Sequence, residues 1–143
     1  MPNTILIDSG PLTALFDKDD RFHRPILEFI QGKGFQFLTT TAVLTETTYL
    51  LDFSVQAQIH FLQWVQSEGV RLVEVSNADL PRIIELTLKY GDRPMDFADA
   101  TLVVAAEKTG IQKIISIDAD FDIYRLPGKV RIKNIFSQRS KAR

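Results

Sequence analysis

The sequence predicts one α/β domain in which helices cover both faces of a mostly parallel sheet. Short apolar strand patterns alternate with longer helical patterns along the 143 residues, as expected for consecutive βαβ units. The apolar share of 45% supports a single core, and a chain of this length usually forms one domain. Because no repeat, low-complexity tract or linker interrupts the sequence, we expect a single domain over residues 1–143.

Five segments are predicted to be strands because they are short, apolar or alternating, and bounded by turn residues. The first, TILID, and the fourth, KIISID, are apolar runs that each end in an aspartate. The third, VRLVEV, alternates between apolar and polar residues, as half-buried strands do. The predicted strands cover 4–8, 35–40, 70–75, 113–118 and 130–135.

Six helices are predicted from apolar residues that recur three or four positions apart. Ser9, Ser54 and either Ser76 or Asn77 are candidate N-caps, and Gly110 is a candidate helix terminator. The first helix follows Ser9 and carries Leu12, Leu15 and Phe16 on one stripe, and the other five cover 23–31, 41–52, 54–69, 78–90 and 96–110.

The composition excludes several classes of site and location. The chain has no cysteine, which rules out disulfides, thiolate nucleophiles and cysteine-ligated zinc. The opening residues MPNTILIDSG lack a positive lead and a long apolar run, so they do not resemble a secretory signal. No stretch approaches 18 consecutive apolar residues, as a membrane-spanning helix requires. We therefore expect a cytoplasmic protein without a membrane segment.

Charge is distributed unevenly along the chain. The net charge is −1, but residues 125–143 hold seven Lys and Arg residues and no acid, whereas the remainder holds ten against 18 acids. A basic C-terminal tail on an acidic body is typical of a nucleic-acid contact. It is also typical of a solvated terminus, and charge alone does not separate the two interpretations.

Two aspartates follow predicted strands at the edge of the sheet where ligands bind. Asp8 ends the first strand and Asp118 ends the fourth. In open α/β sheets, ligands lie outside the carboxyl ends of the strands, where the strand order reverses. A turn former or a helix cap is the alternative role for either aspartate.

Three further carboxylates occupy suggestive helical positions. Glu46 lies on an apolar row of its helix, although it could also be a flank residue whose stem follows the surface. Asp96 and Asp99 share a face at a helix start, where carboxylates also stabilise the helix dipole. Asp96 can be the cap itself, whereas Asp99 lies further into the helix.

Together these carboxylates predict a site for a hard divalent cation. All-oxygen ligands suit Mg²⁺ or Mn²⁺, and the repulsion between neighbouring carboxylates also favours a bound cation. Ser9 has no evident histidine base, which leaves a Ser-His-Asp triad unsupported. The chain also lacks the glycine-rich motifs of P-loop and dinucleotide-binding proteins.

Four segments carry a resemblance to a known family. ILIDSGPLTALFD, the glutamate in TAVLTETTYLL, MDFADATLVVAAEKTGI and IISIDADFDIYR follow in this order and cover nearly the whole chain. The most specific part is DFADA before an apolar helix, followed by Ser-x-Asp-x-Asp-Phe. These segments resemble PIN domains, and in particular the VapC-type toxin ribonucleases.

The resemblance implies a Rossmann-like sheet of order 3-2-1-4-5 and a Mg²⁺- or Mn²⁺-dependent endoribonuclease. It further implies a cognate antitoxin, RNA as substrate and a homodimer. The family's acidic positions map onto Asp8, Glu46, Asp99 and Asp118, with Asp96 as a further acidic position and Ser9 and Ser116 in supporting roles.

The basic residues Arg93, Lys129, Arg131 and Lys133 are candidate contacts for the RNA backbone. Two other classes of protein remain possible at this point. A non-catalytic PIN-like module could bind RNA or another protein through the same fold. A receiver-type phosphoacceptor domain also gathers aspartates at strand ends, but its paired acids directly follow the first strand, where this chain has Asp8 alone.

Overall fold

The computed structural model describes residues 3–92, 95–118, 121, 124–126 and 130–136. Within these ranges seven strands and six helices follow one another. The strands are β1 (Thr4–Ile7), β2 (Gln36–Thr39), β3 (Val70–Leu72), β4 (Lys113–Ile115), β5 (Arg125–Leu126), β6 (Val130–Arg131) and β7 (Lys133–Asn134). The helices are α1 (Ser9–Phe16), α2 (His23–Ile30), α3 (Thr41–Leu50), α4 (Val55–Gln66), α5 (Leu80–Lys89) and α6 (Phe97–Thr109).

The central sheet has the order β3-β2-β1-β4-β7, and all its pairings are parallel. This confirms the predicted order 3-2-1-4-5, with β7 as the fifth strand. Strand order reverses at β1, which pairs with β2 on one side and with β4 on the other. The switch point therefore lies between the carboxyl ends of β1 and β4.

The central strand and the last long helix are buried on almost every side. Ile5, Leu6 and Ile7 of β1 are at most 2% exposed, because a parallel strand with helices over the sheet faces has no solvent side. Nine consecutive residues of α6 are buried, from Ala98 to Ala106. Small residues in this run allow close packing, and Gly110 ends the helix in the left-handed conformation at φ 76°.

The predicted last strand is divided in two. Residues 130–135 were expected to form one strand, but Val130–Arg131 pairs antiparallel with Arg125–Leu126, and only Lys133–Asn134 joins the central sheet. Ile132 lies between them and is fully buried. The chain therefore leaves its pairing with β5 and joins β4 at a residue inside the fold, not at the surface.

The described parts of the basic segment, residues 125–126 and 130–136, belong to the fold. Ile132 and Phe136 have no exposed surface, and the ring of Phe136 packs edge-on against Phe22 and Phe29. The basic residues of 130–136 are therefore held on a packed strand segment. In the part of the chain that the structure describes, no helix is long and apolar enough to cross a membrane.

Candidate active site

The site is built around Asp8, which directly follows β1 at the switch point. Its backbone N–H donates to the carbonyl of Ile115 at 3.1 Å, which extends the ladder between β1 and β4 by one residue. The side chain then turns to cap α1, with Oδ1 accepting from the N–H of Ser9 at 2.8 Å. Asp8 is only 5% exposed, so its carboxylate is held at the base of the site.

Ser116, directly after β4, contacts the second oxygen of Asp8. Its Oγ lies 3.1 Å from Asp8 Oδ2 and 3.2 Å from the carbonyl of Asp118, so its one proton has two acceptors within reach. The same Oγ accepts from the N–H of Asp118 at 3.0 Å. Asp118 itself is exposed. Ser116 therefore links the two predicted aspartates across neighbouring strand ends.

Glu46 is brought to the site by a hydrogen bond to the first residue of α1. Ser9 Oγ donates to Glu46 Oε1 at 2.7 Å, and Ser9 is itself buried. The partly buried glutamate thus has the partner that a carboxylate inside a fold requires. At the start of α3, Thr40 and Thr101 share a buried hydroxyl bond of 2.7 Å, which fixes α3 against α6.

The pair at the start of α6 divides into a cap and a buried carboxylate. Asp96 is the N-cap, and its Oδ1 accepts from the N–H of Asp99 at 2.8 Å, as the capping alternative predicted. Asp99 is only 7% exposed. Tyr124, which is fully buried, donates its hydroxyl to Asp99 Oδ2 at 3.3 Å.

Burial and like charge disfavour ionisation of both buried aspartates. Loss of solvent raises the pKa of Asp8 to about 7, with further increases from Glu46 and Asp118, against hydrogen bonds from Ser9 and Ser116 that lower it. The pKa of Asp99 rises to about 8, first from burial and then from the charges of Asp8, Asp96 and Asp118. All five predicted carboxylates are thus coupled electrostatically.

Such a concentration of carboxylates suits a hard cation in charge and in ligand chemistry. A divalent ion relieves both the burial cost and the repulsion that raise these two pKa values. Among the described residues, however, no three His, Cys, Asp or Glu side chains are arranged so that they could hold an ion as they stand. The carboxylates would have to close around it, as expected of mutually repelling groups.

Asn134 on β7 supports the site from behind, and the sequence analysis missed it. Its Nδ2 donates to the carbonyl of Ser116 at 2.9 Å, and its Oδ1 accepts from the N–H groups of Ser116 at 3.3 Å and Phe136 at 3.0 Å. The side chain therefore replaces ladder bonds between β4 and β7. An asparagine within a predicted strand was the available signal, because strands are depleted in this residue.

The predicted RNA contacts are only partly within the described residues. Arg131 and Lys133 are exposed, on β6 and β7. Arg93 and Lys129 lie outside the described residues. Tyr124, like Asn134, was not predicted, because a bond from a loop residue to Asp99 depends on tertiary packing.

Comparisons with known proteins identify the family. Residues 5–126 match the PIN-domain family. Ribonuclease VapC26 of Mycobacterium tuberculosis is 25% identical over 116 residues, which cover 80% of this chain and 86% of that protein. The chain belongs to the PIN-domain family, and its similarity to VapC-type toxins confirms the resemblance seen in its motifs.

Two solved structures share the fold. The crystal structure of Mycobacterium tuberculosis VapC20, described as a toxin that cleaves the sarcin–ricin loop, matches with a TM-score of 0.74 and 25% identity, covering 81% of this chain and 91% of that one. VapBC2 from Rickettsia felis, bound to a DNA fragment from its promoter, matches with a TM-score of 0.61 and 14% identity, covering 89% and 96%. The second supports the fold alone.

The raised pKa of Asp99 predicts an unusual dependence of stability on pH in metal-free protein. Between pH 3.8 and about pH 8 the folded protein retains a proton that the unfolded chain has lost. The free energy of unfolding therefore falls as the pH rises through this window. Asp99→Asn removes the contribution of Asp99 but not that of Asp8, whose pKa is also raised. In EDTA, the melting temperature of the variant relative to wild type should therefore rise between about pH 5.5 and about pH 8.5. The control is Asp52→Asn, which changes an exposed aspartate. The prediction is contradicted if the melting temperature of Asp99→Asn rises no more than that of this control over the same pH range.

Asn134 provides a second test, of the support behind the site. Asn134→Ala leaves three backbone groups without their partner, which should lower the free energy of unfolding by about 1–3 kcal/mol. Urea denaturation measures the loss. Asn134→Asp retains the two accepting bonds but not the donating one, so it should fall between alanine and wild type. Equal stability of Asn134→Ala and wild type would show that water replaces these bonds at no cost.

Proposed function

We propose that this chain is a Mg²⁺- or Mn²⁺-dependent endoribonuclease that cleaves RNA phosphodiester bonds by metal-assisted hydrolysis. The observation that carries the proposal is that Asp8 and Asp99 are both buried at the switch point, with Glu46 held beside Asp8 by Ser9 and Asp118 linked to Asp8 through Ser116. Burying two carboxylates beside further acids is costly unless a cation compensates their charge. The ribonuclease named among the relatives supports the same activity.

Three residues are proposed to hold the cation directly: Asp8, Glu46 and Asp99. Asp118 and Asp96 would bind through water or serve a second ion. When bound by Asp8, Glu46 and Asp99, a divalent cation would supply positive charge at the scissile phosphate and would acidify water. The contribution of the protein is to gather these carboxylates at one edge of the sheet, from which they would close around the ion.

The surrounding hydrogen bonds orient these carboxylates. Ser9 directs one oxygen of Glu46, Ser116 directs Oδ2 of Asp8, and Tyr124 directs Oδ2 of Asp99. Each donor occupies part of one oxygen and leaves the other lone pairs available to a ligand. Preorganisation of this kind lowers the cost of arranging charge during the reaction.

The proposed biological role is that of the toxin in a VapBC-type pair, active in the cytoplasm. The similarity to VapC20 and VapC26 supports the toxin. A cognate antitoxin and a homodimer are proposed from the same family. Because VapC20 is described as cleaving the sarcin–ricin loop, an RNA hairpin of that loop is the first substrate to assay.

A non-catalytic RNA-binding or interaction module is the second candidate. The observation that favours it is the absence, among the described residues, of three side chains already placed to hold an ion. Such a module would bind RNA without cleaving it, and EDTA would not change its affinity. The retained acidic positions Asp8, Glu46, Asp99 and Asp118 favour the enzyme.

Loss of either buried aspartate should abolish cleavage. Asp8→Asn and Asp99→Asn preserve side-chain shape but remove a negative charge, so each should lower the single-turnover rate by at least about 100-fold, or about 2.7 kcal/mol of barrier. The measurement is RNA cleavage in Mg²⁺, with EDTA and the exposed Asp52→Asn as controls. Wild-type turnover in either variant would place the site elsewhere.

Metal binding should also be visible without RNA. Wild type should gain about 2.7 kcal/mol of stability at a Mg²⁺ or Mn²⁺ concentration about 100 times the dissociation constant. Asp99→Asn should gain less, because it lacks one ligand charge. Thermal melts with and without metal measure both gains, and identical gains would remove Asp99 from the binding set.

The basic strand segment should contribute to affinity through phosphates. Arg131→Gln combined with Lys133→Gln should weaken RNA binding and reduce the slope of log K against log salt by about 1.4, at about 0.7 per phosphate for a single strand. The control is Lys18→Gln with Arg24→Gln, which removes two exposed charges elsewhere. An unchanged slope would show that Arg131 and Lys133 make no phosphate contacts and are simply solvated. Substitution is preferable to truncation, because deletion of residues 130–136 would remove β7.

A further inference from the structure

An open groove adjoins the carboxylates on one side. It lies between α3 and the start of α6 and has a volume of about 560 Å³. Two of the proposed acidic residues, Glu46 and Asp96, contribute to its wall. We call it the α3–α6 groove, and its lining residues are Ala42, Thr45, Glu46, Tyr49, Asp96, Phe97 and Ala98.

Two exposed aromatic side chains line this groove. Tyr49 is 71% exposed and Phe97 is 55% exposed. Neither ring contacts another aromatic ring within the part of the chain that the structure describes. Phe97 also lines a second cavity of about 270 Å³, so space is open on more than one side of its ring. Their place beside the carboxylates, rather than their exposure alone, indicates a ligand.

We propose that Tyr49 and Phe97 form a stacking platform for an unpaired RNA base next to the phosphate that is cleaved. The inference rests on the proposed ribonuclease function and adds the part of the substrate that the groove receives. Aromatic rings bind single-stranded nucleic acid by stacking on bases, each of which has a π face. Because stacking tolerates any base, the polar groups of the groove would decide which base is preferred.

Charge favours the base over the backbone as the occupant. Glu46 and Asp96 place negative charge on the groove wall, which disfavours a phosphate there. Because Glu46 is proposed to hold the cation, Asp96 is the carboxylate that would accept a hydrogen bond from the amino group of a base. Thr45 donates its hydroxyl to the carbonyl of Thr41 at 3.0 Å, which leaves its oxygen as an acceptor. The polar groups therefore match a base that carries an exocyclic amino group.

A binding experiment tests the stacking directly. Asp8→Asn protein in Mg²⁺ is titrated into single-stranded RNA decamers that carry one 2-aminopurine, whose fluorescence falls when it stacks. Replacing Tyr49 or Phe97 by Ala or Leu should weaken binding by about 5- to 150-fold for each base–ring contact. Tyr49→Phe and Phe97→Tyr should retain both affinity and quenching. The matched control is Phe53→Ala, which removes an exposed ring that does not line the groove.

A cleavage experiment on otherwise wild-type protein connects the platform to the reaction. Removing the base beside the mapped cleavage site should slow single-turnover cleavage by wild type, and Phe97→Ala should add little to that loss. The proposal is overturned if the abasic site and Phe97→Ala each slow cleavage and their effects on the rate add independently. It is also overturned if the alanine and leucine variants of Tyr49 and Phe97 bind RNA with the same affinity as the Phe53→Ala control.

Three outcomes separate the explanations. Quenching that depends on Tyr49 and Phe97 in a protein that cleaves no RNA would preserve the platform and remove the ribonuclease. Cleavage that is indifferent to both rings would preserve the ribonuclease and overturn the platform. Unchanged RNA binding with an altered oligomeric mass in Tyr49→Ala or Phe97→Ala would assign the groove to a second copy of the chain and also overturn it.

Discussion

The structure depends on the burial of two mutually repelling carboxylates where the strand order of the sheet reverses. Asp8 and Asp99 are at most 7% exposed. Neighbouring acids oppose the ionisation of both, and Asp8 is among those that raise the pKa of Asp99. Hydrophobic packing of β1 and α6 compensates this cost, because residues 5–7 of the strand and residues 98–106 of the helix are buried. The apolar core is thus what allows an unfavourable cluster to persist.

The parallel topology explains why distant segments meet at this point. Side chains that follow β1 and β4 are adjacent only because these strands pair in parallel, and the Ser116–Asp8 bond spans 108 positions of sequence. The Ser9–Glu46 bond similarly joins α1 to α3 across 37 positions. The topology therefore brings the hydroxyls of Ser9 and Ser116 to the positions from which they orient the carboxylates of Glu46 and Asp8.

Much of this arrangement could be predicted from the sequence, and the missing parts have a common cause. Asp8 and Asp118 were found because apolar runs ending in aspartate define strand ends, and the capping role of Asp96 followed from its position before a helix. Asn134 and Tyr124 were missed because their partners are set by strand register and by packing of a loop. The division of the segment 130–135 was missed for the same reason, since Ile132 fits a continuous strand pattern equally well.

The short edge strand β7 affects how long the hydrogen bonds behind Ser116 stay formed. It pairs with β4 through two residues, and Asn134 supplies the remaining bonds to Ser116. Edge segments with few contacts open more often than a buried centre does. Such a sub-global opening releases Ser116 from Asn134 while the core around β1 stays folded. We therefore expect contacts that cover β7 to lengthen the lifetime of the Ser116–Asn134 bonds without touching a carboxylate.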